Sequence, residues 1–486
     1  MKVSELGFHI LDAEISRVQK HLSTLQKQRA RCEAHTKKLR IAVAPHKYLP
    51  PEILAEVFLH CLYHDPLDGR LAILGRSPHL LPVPLVLGRV CSRWRQIAFG
   101  EKRLWNSIHY EGNLRRHVIL LQEAFRHSGQ STLQLEAVES RISGLYQSFL
   151  HEVVLPQLHR ITSLLLDVGG ATFQDFLRLP SGLLDELECV KIQIHRGDEY
   201  SSSPQAPTTV FQGASRLRRV TIPLLNSRPW LDLTLPWGQL IYLALTYESM
   251  ELTDSFKVLS LCRNLSECYL CLCPDSDSKP IPPASIQLPH LRNLGVNMSK
   301  KPAYRDYFRP LVTPKLEQFA FVLSDPSADH LKELRETIDR LYMSIPNLRL
   351  VLLYNGDRGD GILRLARSLP PLTSIKASHQ RFLPASTMKL IARDVFFQTL
   401  TSLEACIHPS DTKDLVEMFK GCWTRARQSN SAYTGIRSAT IVVVVSEKKI
   451  SELSRVIAGI QKELGVPDAK ITLRQWHSHH GRSWLF

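Results

Sequence analysis

The 486-residue sequence has no apolar run near the roughly 20 residues that a transmembrane helix needs. Its densest apolar stretch, TIVVVV at 440–445, is long enough only for a β-strand. The N-terminus has no signal-peptide pattern, because polar residues interrupt every apolar segment there. We therefore expect a protein of the cytoplasm or the nucleus, without a membrane partner.

The sequence also lacks the motifs of the common enzyme families. It contains no P-loop, no G-x-G-x-x-G, no H-E-x-x-H and no G-x-S-x-G. Three histidines in WHSHHG at 476–481 have neither a fourth ligand nor an acid–base partner nearby, and they favour a solvated tail. We expect no catalytic residues, no resident metal and no cofactor.

The ten cysteines are scattered, unlike the dense spacing of secreted disulfide-rich domains. The one cluster is Cys262, Cys268, Cys271 and Cys273. A strand over 265–273 would place Cys268 on one face and the last two cysteines on the other, so four zinc ligands would not converge. The pattern therefore predicts structural, reduced cysteines.

The net charge of +15 raises the question of nucleic-acid binding. Residues 1–48 hold ten Lys and Arg against four Asp and Glu, and the rest of the charge is spread thinly. No basic stripe is interleaved with aromatic residues. This pattern is typical of a solvated surface, and we expect no nucleic-acid partner.

A heptad repeat predicts a coiled-coil helix over residues 1–44. Its second half is weaker, because Arg29 and Thr36 occupy core positions. Two interpretations stay open: self-association through the seam, or packing of one long helix on the domain that follows. The seam positions are Phe8, Leu11, Ile15, Val18, Leu22, Leu25, Arg29, Cys32, Thr36, Leu39 and Val43.

A small helical unit is predicted over 45–110. The stretch LPPEILAEVFLHCL at 49–62 predicts a helix that begins at Pro51 and carries a wide apolar stripe. Two further helices are predicted within 85–108, with apolar positions Leu85, Val90, Trp94, Ile97, Leu104, Trp105 and Ile108. A unit of about 60 residues buries little surface by itself. We therefore expect much of the stripe to face something outside the unit.

Beyond residue 128 one pattern recurs: leucine, two residues, apolar, one residue, apolar. Ten copies begin at 158, 187, 217, 240, 265, 291, 316, 348, 372 and 403, the first of them looser than the rest. The mean period of about 27 residues lies within the leucine-rich-repeat range of about 20–29. Each copy predicts a short strand whose inward side chains stack on those of the next copy.

Helices are predicted between strands at 327–345 and 383–400, and the chain is expected to end as strand, helix and strand over 435–476. The predicted fold class is therefore α/β. A coiled-coil-like helix and a three-helix unit precede an irregular leucine-rich-repeat-like α/β solenoid over 111–486, open and right-handed, with a C-terminal cap.

Three blocks of the small unit occur in a fixed order: LPPEILAEVFLHCL, LGRVCSRWRQIA and LWNSI. They resemble the F-box, whose pattern is roughly L-P-x-E-[IL]-x-x-x-[IV]-[FL] followed by V-C-[KR]-x-W-[RK]. The N-terminal helix, the insertion between the first two blocks and HVILLQEAFRHSGQSTLQLEAV after them resemble the F-box-like proteins of mushroom-forming (basidiomycete) fungi. The loop 64–83 is longer than in the shortest F-boxes.

The resemblance implies a non-catalytic substrate-recognition subunit of an SCF-type cullin–RING ubiquitin ligase. In that family the F-box docks on a Skp-type adaptor, which joins it to the cullin scaffold, and the rest of the chain selects a protein substrate. The residues that match the docking pattern are Leu49, Pro50, Ile53, Leu54, Val57, Phe58, Val90, Cys91, Trp94, Leu104 and Trp105. The alternative is a repeat-based interaction scaffold whose F-box-like unit is only structural and acts outside ubiquitin ligases.

The substrate surface is expected on the exposed strand positions and on the loops 200–209 and 274–285 beside them. Arg and Tyr are frequent among interface hot spots, and arginine favours an acidic or phosphorylated partner. The candidates are Arg218, Arg219, Tyr242 and Arg292.

Overall fold

The computed structural model describes residues 2–42, 48–62, 82–112, 115–139, 154–194, 208–223, 233–273, 285–298, 307–323, 328–345, 348–354, 373–377, 382–393, 400–428, 436–443, 447–466 and 468–475. The protein is mixed α/β, with a long N-terminal helix and a parallel sheet. None of the helices within these ranges is long and apolar enough to cross a membrane. The chain divides into two compact units, the first made of 1–109 with 121–131 and the second of 110–120 with 132–486.

The N-terminal part of the chain is helical. Its elements are α1 (Lys2–Ala42), α2 (Pro51–Leu62), α3 (Val83–Leu87), α4 (Ser92–Gly100), a 3-10 turn (Lys102–Trp105), β1 (Ser107–Gly112) and α5 (Arg115–Ser128). The predicted helices over 1–44 and from Pro51 are confirmed as α1 and α2. The predicted loop 64–83 lies outside the described residues except for its last two.

One predicted helix is wrong in its continuity, because α3 and α4 are separate. The turn between them ends at Cys91, which is extended and caps α4 by accepting the Trp94 N–H at its Sγ, 3.5 Å away. Ile108 was predicted to lie in a helix but belongs to β1, since the third helix is only a single 3-10 turn.

The second unit consists of short strands, with helices between some of them. Its elements are β2 (Leu133–Glu139), β3 (Ile161–Val168), α6 (Gly170–Leu177), β4 (Cys189–Ile194), β5 (Arg219–Pro223), β6 (Tyr242–Glu251), α7 (Leu252–Leu261), β7 (Glu267–Cys273), β8 (Ile286–Gln287), β9 (Asn293–Met298), β10 (Leu311–Val312), β11 (Gln318–Leu323), α8 (Ala328–Ser344), β12 (Arg349–Tyr354), β13 (Ser374–Ala377), α9 (Ala385–Arg393), β14 (Ser402–Ile407), α10 (Thr412–Gln428), β15 (Ser438–Val443), α11 (Glu447–Leu464) and β16 (Lys470–Gln475). The predicted helices at 327–345 and 383–400 correspond to α8 and α9.

Within the described ranges, fourteen strands form one sheet in chain order, from β1 to β16, and β8 pairs in parallel with β10 outside it. Every pairing from β2 onward is parallel. The ten predicted copies coincide with the ten strands of this sheet from β3 to β14, which exclude β8 and β10. The predicted C-terminal strand, helix and strand are confirmed as β15, α11 and β16, which extend the same sheet.

A recurring turn starts these strands. The first leucine of a copy donates its N–H to the carbonyl three residues earlier, as Leu217 does to Ala214 at 3.1 Å. The Glu188 carbonyl then accepts the N–H groups of both Arg218 and Arg219, at 2.9 and 3.0 Å. The inward residues that follow stack across the sheet in one row, each at most 1% exposed: Val190, Val220, Leu243, Cys268, Leu294, Phe319 and Leu350.

Two copies depart from the predicted frame. In the copy at 348, Leu350 aligns with Phe319, so one residue fewer separates the first leucine from the first inward residue. In the last copy Leu403 aligns with Ile375 as an inward residue, and Leu400 takes the first-leucine position. Leucine-rich segments offer several frames, and strand pairing selects among them.

Aromatic side chains link the helices to the inward face of the sheet. Phe256 of α7 stacks on Tyr307, with ring centroids 5.8 Å apart, and Phe308 meets Phe319 of β11 edge-on at 5.0 Å. Trp423 of α10 is fully buried and donates its indole N–H to the Ile436 carbonyl at 3.0 Å. The core of the second unit therefore lies between the helices and one face of the sheet.

Candidate functional site

Helix α2 carries apolar side chains on two different faces. Leu54 and Phe58 are at most 1% exposed and form the buried face. Ile53 and Val57, one residue earlier in each turn, are 49% and 44% exposed. Residues three or four apart share a helix face and adjacent residues do not. The single stripe predicted from the sequence therefore divides into a core half and an exposed half.

The core half corrects part of the predicted adaptor surface. The Phe58 ring lies 4.8 Å from the Trp94 ring, and Trp105 donates its indole N–H to the Ala98 carbonyl at 2.8 Å. Four predicted contact residues are buried in this core, which leaves them no surface with which to touch a partner: Leu54, Phe58, Leu104 and Trp105. Their role is to shape the unit.

The remaining predicted contacts stay accessible. Pro50 and Cys91 are exposed, Val90 is more than half exposed, and Leu49 and Trp94 are half-buried. Sequence reasoning missed Val86, which is about half exposed and lies four residues before Val90. We call the accessible members the exposed apolar set: Pro50, Ile53, Val57, Val86, Val90 and Cys91.

Polar contacts fix the elements that carry this set. Arg103 in the 3-10 turn bonds the Glu56 carboxylate on α2 at 2.8 Å and the Glu101 carboxylate at 2.9 Å. The hydrogen bond from Arg103 lowers the pKa of Glu101, so this carboxylate stays ionised at neutral pH. Arg93 on α4 donates to the carbonyl of Leu49, just before α2. The position of α2 is therefore held just before its N-terminus and near its middle.

The second half of α5 completes the core of the first unit, and sequence reasoning missed it. The His127 ring stacks on Trp105 with centroids 4.7 Å apart, and lies 5.0 Å from Phe99. His127 Nδ1 is 3.1 Å from the Phe99 carbonyl oxygen. Residues 121–131 thus belong with the first unit, although the sequence placed the domain boundary at 110. The signal was the helical spacing of Leu121 and Phe125, both buried.

The outward face of the sheet holds the predicted substrate residues. Arg219, Tyr242 and Glu267 are cross-strand neighbours in one row. The Arg219 Cζ lies 4.4 Å from the centroid of the Tyr242 ring, within cation–π distance. Its Nη1 is 4.0 Å from Glu267 Oε1. The structure therefore brings Arg219 and Tyr242 together.

The other two predicted arginines lie near the same row but are occupied. Arg218 donates to the Gln239 carbonyl at 3.1 Å, and Arg292 pairs with the Glu317 carboxylate at 2.6 Å. Arg349 approaches that same carboxylate at 3.8 Å. Carboxylates of the chain thus offset much of the positive charge on this face, and an acidic partner would have to compete with them.

A second tyrosine extends the aromatic surface and was not predicted. The Tyr269 ring lies 5.9 Å from the Tyr242 ring, and its direct neighbour on the next strand is Gly295. A Cβ on residue 295 would stand 2.1 Å from Tyr269 Cδ1, so only glycine lets the ring lie there. Burial raises the pKa of Tyr269 to about 12, and burial also raises that of Tyr242. Both phenols are hydrogen-bond donors at neutral pH. We call Arg219, Tyr242 and Tyr269 the aromatic patch.

No model of a known protein family and no curated protein matches this chain. The likeness of residues 49–108 to the F-box rests on the motif residues alone, and adaptor docking stays a prediction.

Of the cysteine cluster, Cys262 directly follows α7, and the other three cysteines lie in β7. Burial raises the pKa of the Cys262 thiol to about 12 and that of Cys268 well above its ordinary value, which disfavours the thiolate that zinc binding needs. Across the described ranges, no group of three or more His, Cys, Asp or Glu side chains is placed to hold a metal ion. The histidines at 476–481 and nearly all of the loops 200–209 and 274–285 lie outside those ranges.

Proposed function

We propose that this protein is a non-catalytic substrate-recognition subunit of an SCF-type cullin–RING ubiquitin ligase. The observation that carries the proposal is the exposed half of α2. Ile53 and Val57 share one helix face and are about half exposed, although the unit already has a closed core around Phe58 and Trp105. Single exposed apolar residues are ordinary, but a repeated apolar face beside a finished core is typical of an interaction site.

The exposed apolar set is the surface we assign to the Skp-type adaptor. Full burial of an aliphatic side chain contributes about 1.5–3 kcal/mol, so each half-exposed member offers about 1 kcal/mol. Several such side chains on elements that are already held in place contribute without a large ordering cost. The buried residues of the motif act indirectly, by holding α2 against α4 through Phe58 and Trp94.

Calorimetry of the full chain with a purified Skp-type adaptor tests this role. We expect Ile53→Asp and Val57→Asp each to weaken binding by tenfold or more, because a carboxylate would be buried in an apolar contact. Gln96→Asp is the matched control, since it places the same charge at an exposed position of α4. Absence of wild-type binding at tens of micromolar would refute adaptor docking.

We also propose that the second unit is a leucine-rich-repeat-like solenoid that presents the substrate surface. The chain-order parallel sheet and the repeated turn support this assignment. On its outward face the aromatic patch is the strongest candidate, because it combines two half-buried tyrosines with an arginine.

Two variants separate the contributions of this face to substrate capture. Changing Arg218, Arg219 and Arg292 together to Ser tests the charge, and Tyr242→Ala tests the aromatic ring. Both are expected to lose captured substrate from native-cell extract while adaptor binding is unchanged. Arg427→Ser on the exposed side of α10 is the control. An unchanged set of captured proteins in both variants would refute the placement.

The burial of four motif residues favours a second candidate, a repeat-based interaction scaffold whose small unit is only structural. Affinity purification from the native cell distinguishes the two. Recovery of adaptor and cullin supports the ligase subunit, and recovery of other partners without them supports the scaffold.

A further inference from the structure

Helix α1 is 41 residues long, and no side chain within the described ranges covers its heptad seam. Every side chain described at 8–9 and 11–39 is exposed. The large apolar members of the seam are 48–68% exposed: Phe8, Leu11, Ile15, Val18, Leu22, Leu25 and Leu39. One interpretation of the sequence was that this helix packs on the domain that follows it. Among the residues that the structure describes, α1 makes no such packing contact.

We propose that two copies of this chain pair through α1 as a parallel, in-register coiled coil. A heptad seam needs a second helix with the same spacing, and another copy supplies the same residues at the same heights. The seven apolar seam residues of each copy make fourteen side chains in a dimer. At about 100 Å² each they would bury on the order of 1,400 Å², above the roughly 1,000 Å² that a stable interface needs. The exposed area is thus sufficient for a dimer.

The distribution of the apolar residues favours the parallel arrangement. In register, six consecutive seam positions from Phe8 to Leu25 pair with their own copies. Antiparallel pairing at full overlap would instead set Val18 against Arg29 and Leu11 against Thr36, each twice. In the parallel pair Arg29 meets Arg29, but its guanidinium is already held by the Glu33 carboxylate of the same helix at 2.8 Å.

Charge opposes the parallel pair only weakly. Residues 27–40 carry six Lys and Arg against one Glu, so two basic segments would lie side by side. All of the described side chains in this segment are exposed, and salt screens exposed charges beyond about 8 Å at physiological ionic strength. In the antiparallel pair Leu11 and Val18 of both copies lose their apolar partners, and this loss is the larger effect.

Analytical ultracentrifugation of the full chain at about 1–50 µM tests the pairing. We expect twice the 55.3 kDa of one chain. Leu22→Glu with Leu25→Glu should give a monomer, because carboxylates would face each other in the seam. Ser16→Glu with Ser23→Glu adds the same charges on the outer side of the helix and should leave the dimer intact.

Cys32 reports the orientation in the wild-type protein. It occupies a seam position and is exposed, so a parallel in-register pair places it against Cys32 of the second copy. Diamide would then accept two electrons and two protons from the two thiols, and a disulfide-linked dimer should appear on a non-reducing gel. Cys32→Ser should abolish that product, although Cys61 and Cys91 are also exposed.

Three results would overturn the proposal. A wild-type monomer at these concentrations would mean that the seam serves another occupant, such as a different protein's helix or an anionic lipid surface. A dimer that survives the Leu22→Glu and Leu25→Glu changes would place the contact elsewhere. A dimer that forms no Cys32 link would refute the parallel register.

Discussion

Replacing Gly295 by Ala should destabilise the second unit, although alanine normally suits a strand better than glycine. The new Cβ would stand 2.1 Å from Cδ1 and 2.7 Å from Cε1 of Tyr269. Carbon atoms pack at about 3.5–4.0 Å, so the ring must retreat by roughly 1.4 Å or more. Overpacking of this kind costs about 1–3 kcal/mol, and removal of glycine returns about 0.5–1 kcal/mol. At the midpoints of these ranges the net loss should be about 1 kcal/mol.

Urea unfolding followed by circular dichroism, with amide hydrogen exchange of β7 and β9, measures this effect. Gly459→Ala is the matched control, because it lies in α11 with no atom within 4 Å of the added Cβ, and it should stabilise by about 0.5–1 kcal/mol. In a Tyr269→Ala background, Gly295→Ala should no longer destabilise. If Gly295→Ala alone is neutral or stabilising while Tyr269 is present, the reasoning is refuted.

Two further predictions concern the cores of the two units. Phe58→Ala should lower the free energy of unfolding by about 3–5 kcal/mol and Val57→Ala by less than about 0.5 kcal/mol, because only the Phe58 side chain is fully buried. Hydrogen exchange of α2 and α4 measures the difference, and similar losses in the two variants would refute the description of two faces. Burial raises the pKa of Cys262 from 9.0 to about 12, so between these pH values the unfolded chain releases a proton that the native thiol keeps. The free energy of unfolding should therefore fall by up to about 1.4 kcal/mol per pH unit more steeply in the wild type than in Cys262→Ala, and equal slopes in urea unfolding would contradict this.

Strand positions were predictable because each copy of the repeat marks its own buried positions. Val190 and Ile192 follow the first leucine of their copy at fixed spacing, and both are fully buried. The frames at 348 and 403 were not predictable, because several leucines there satisfy the same pattern. Only the alignment of Leu350 with Phe319 and of Leu403 with Ile375 decides between them.

The two candidate surfaces show a different limit of the sequence. A helical pattern gives the width of the apolar stripe on α2, but which half faces the core depends on contacts with residues further along the chain, such as that of Phe58 with Trp94. Likewise, Tyr269 and Gly295 are 26 positions apart, and their contact follows from strand register alone. A contact between two distant segments cannot be predicted from the pattern of either segment alone.

The chain order of the sheet has a consequence for synthesis. Each strand of the main sheet pairs with the sheet strand that precedes it in the chain. During synthesis, the edge of the sheet already formed is therefore available when the next strand emerges from the ribosome. At about 5–20 residues per second, an interval of about 27 residues emerges in roughly 1–5 s, far longer than the microseconds in which a hairpin-sized contact forms. The second unit can therefore fold strand by strand during synthesis, with α11 and β16 following β15.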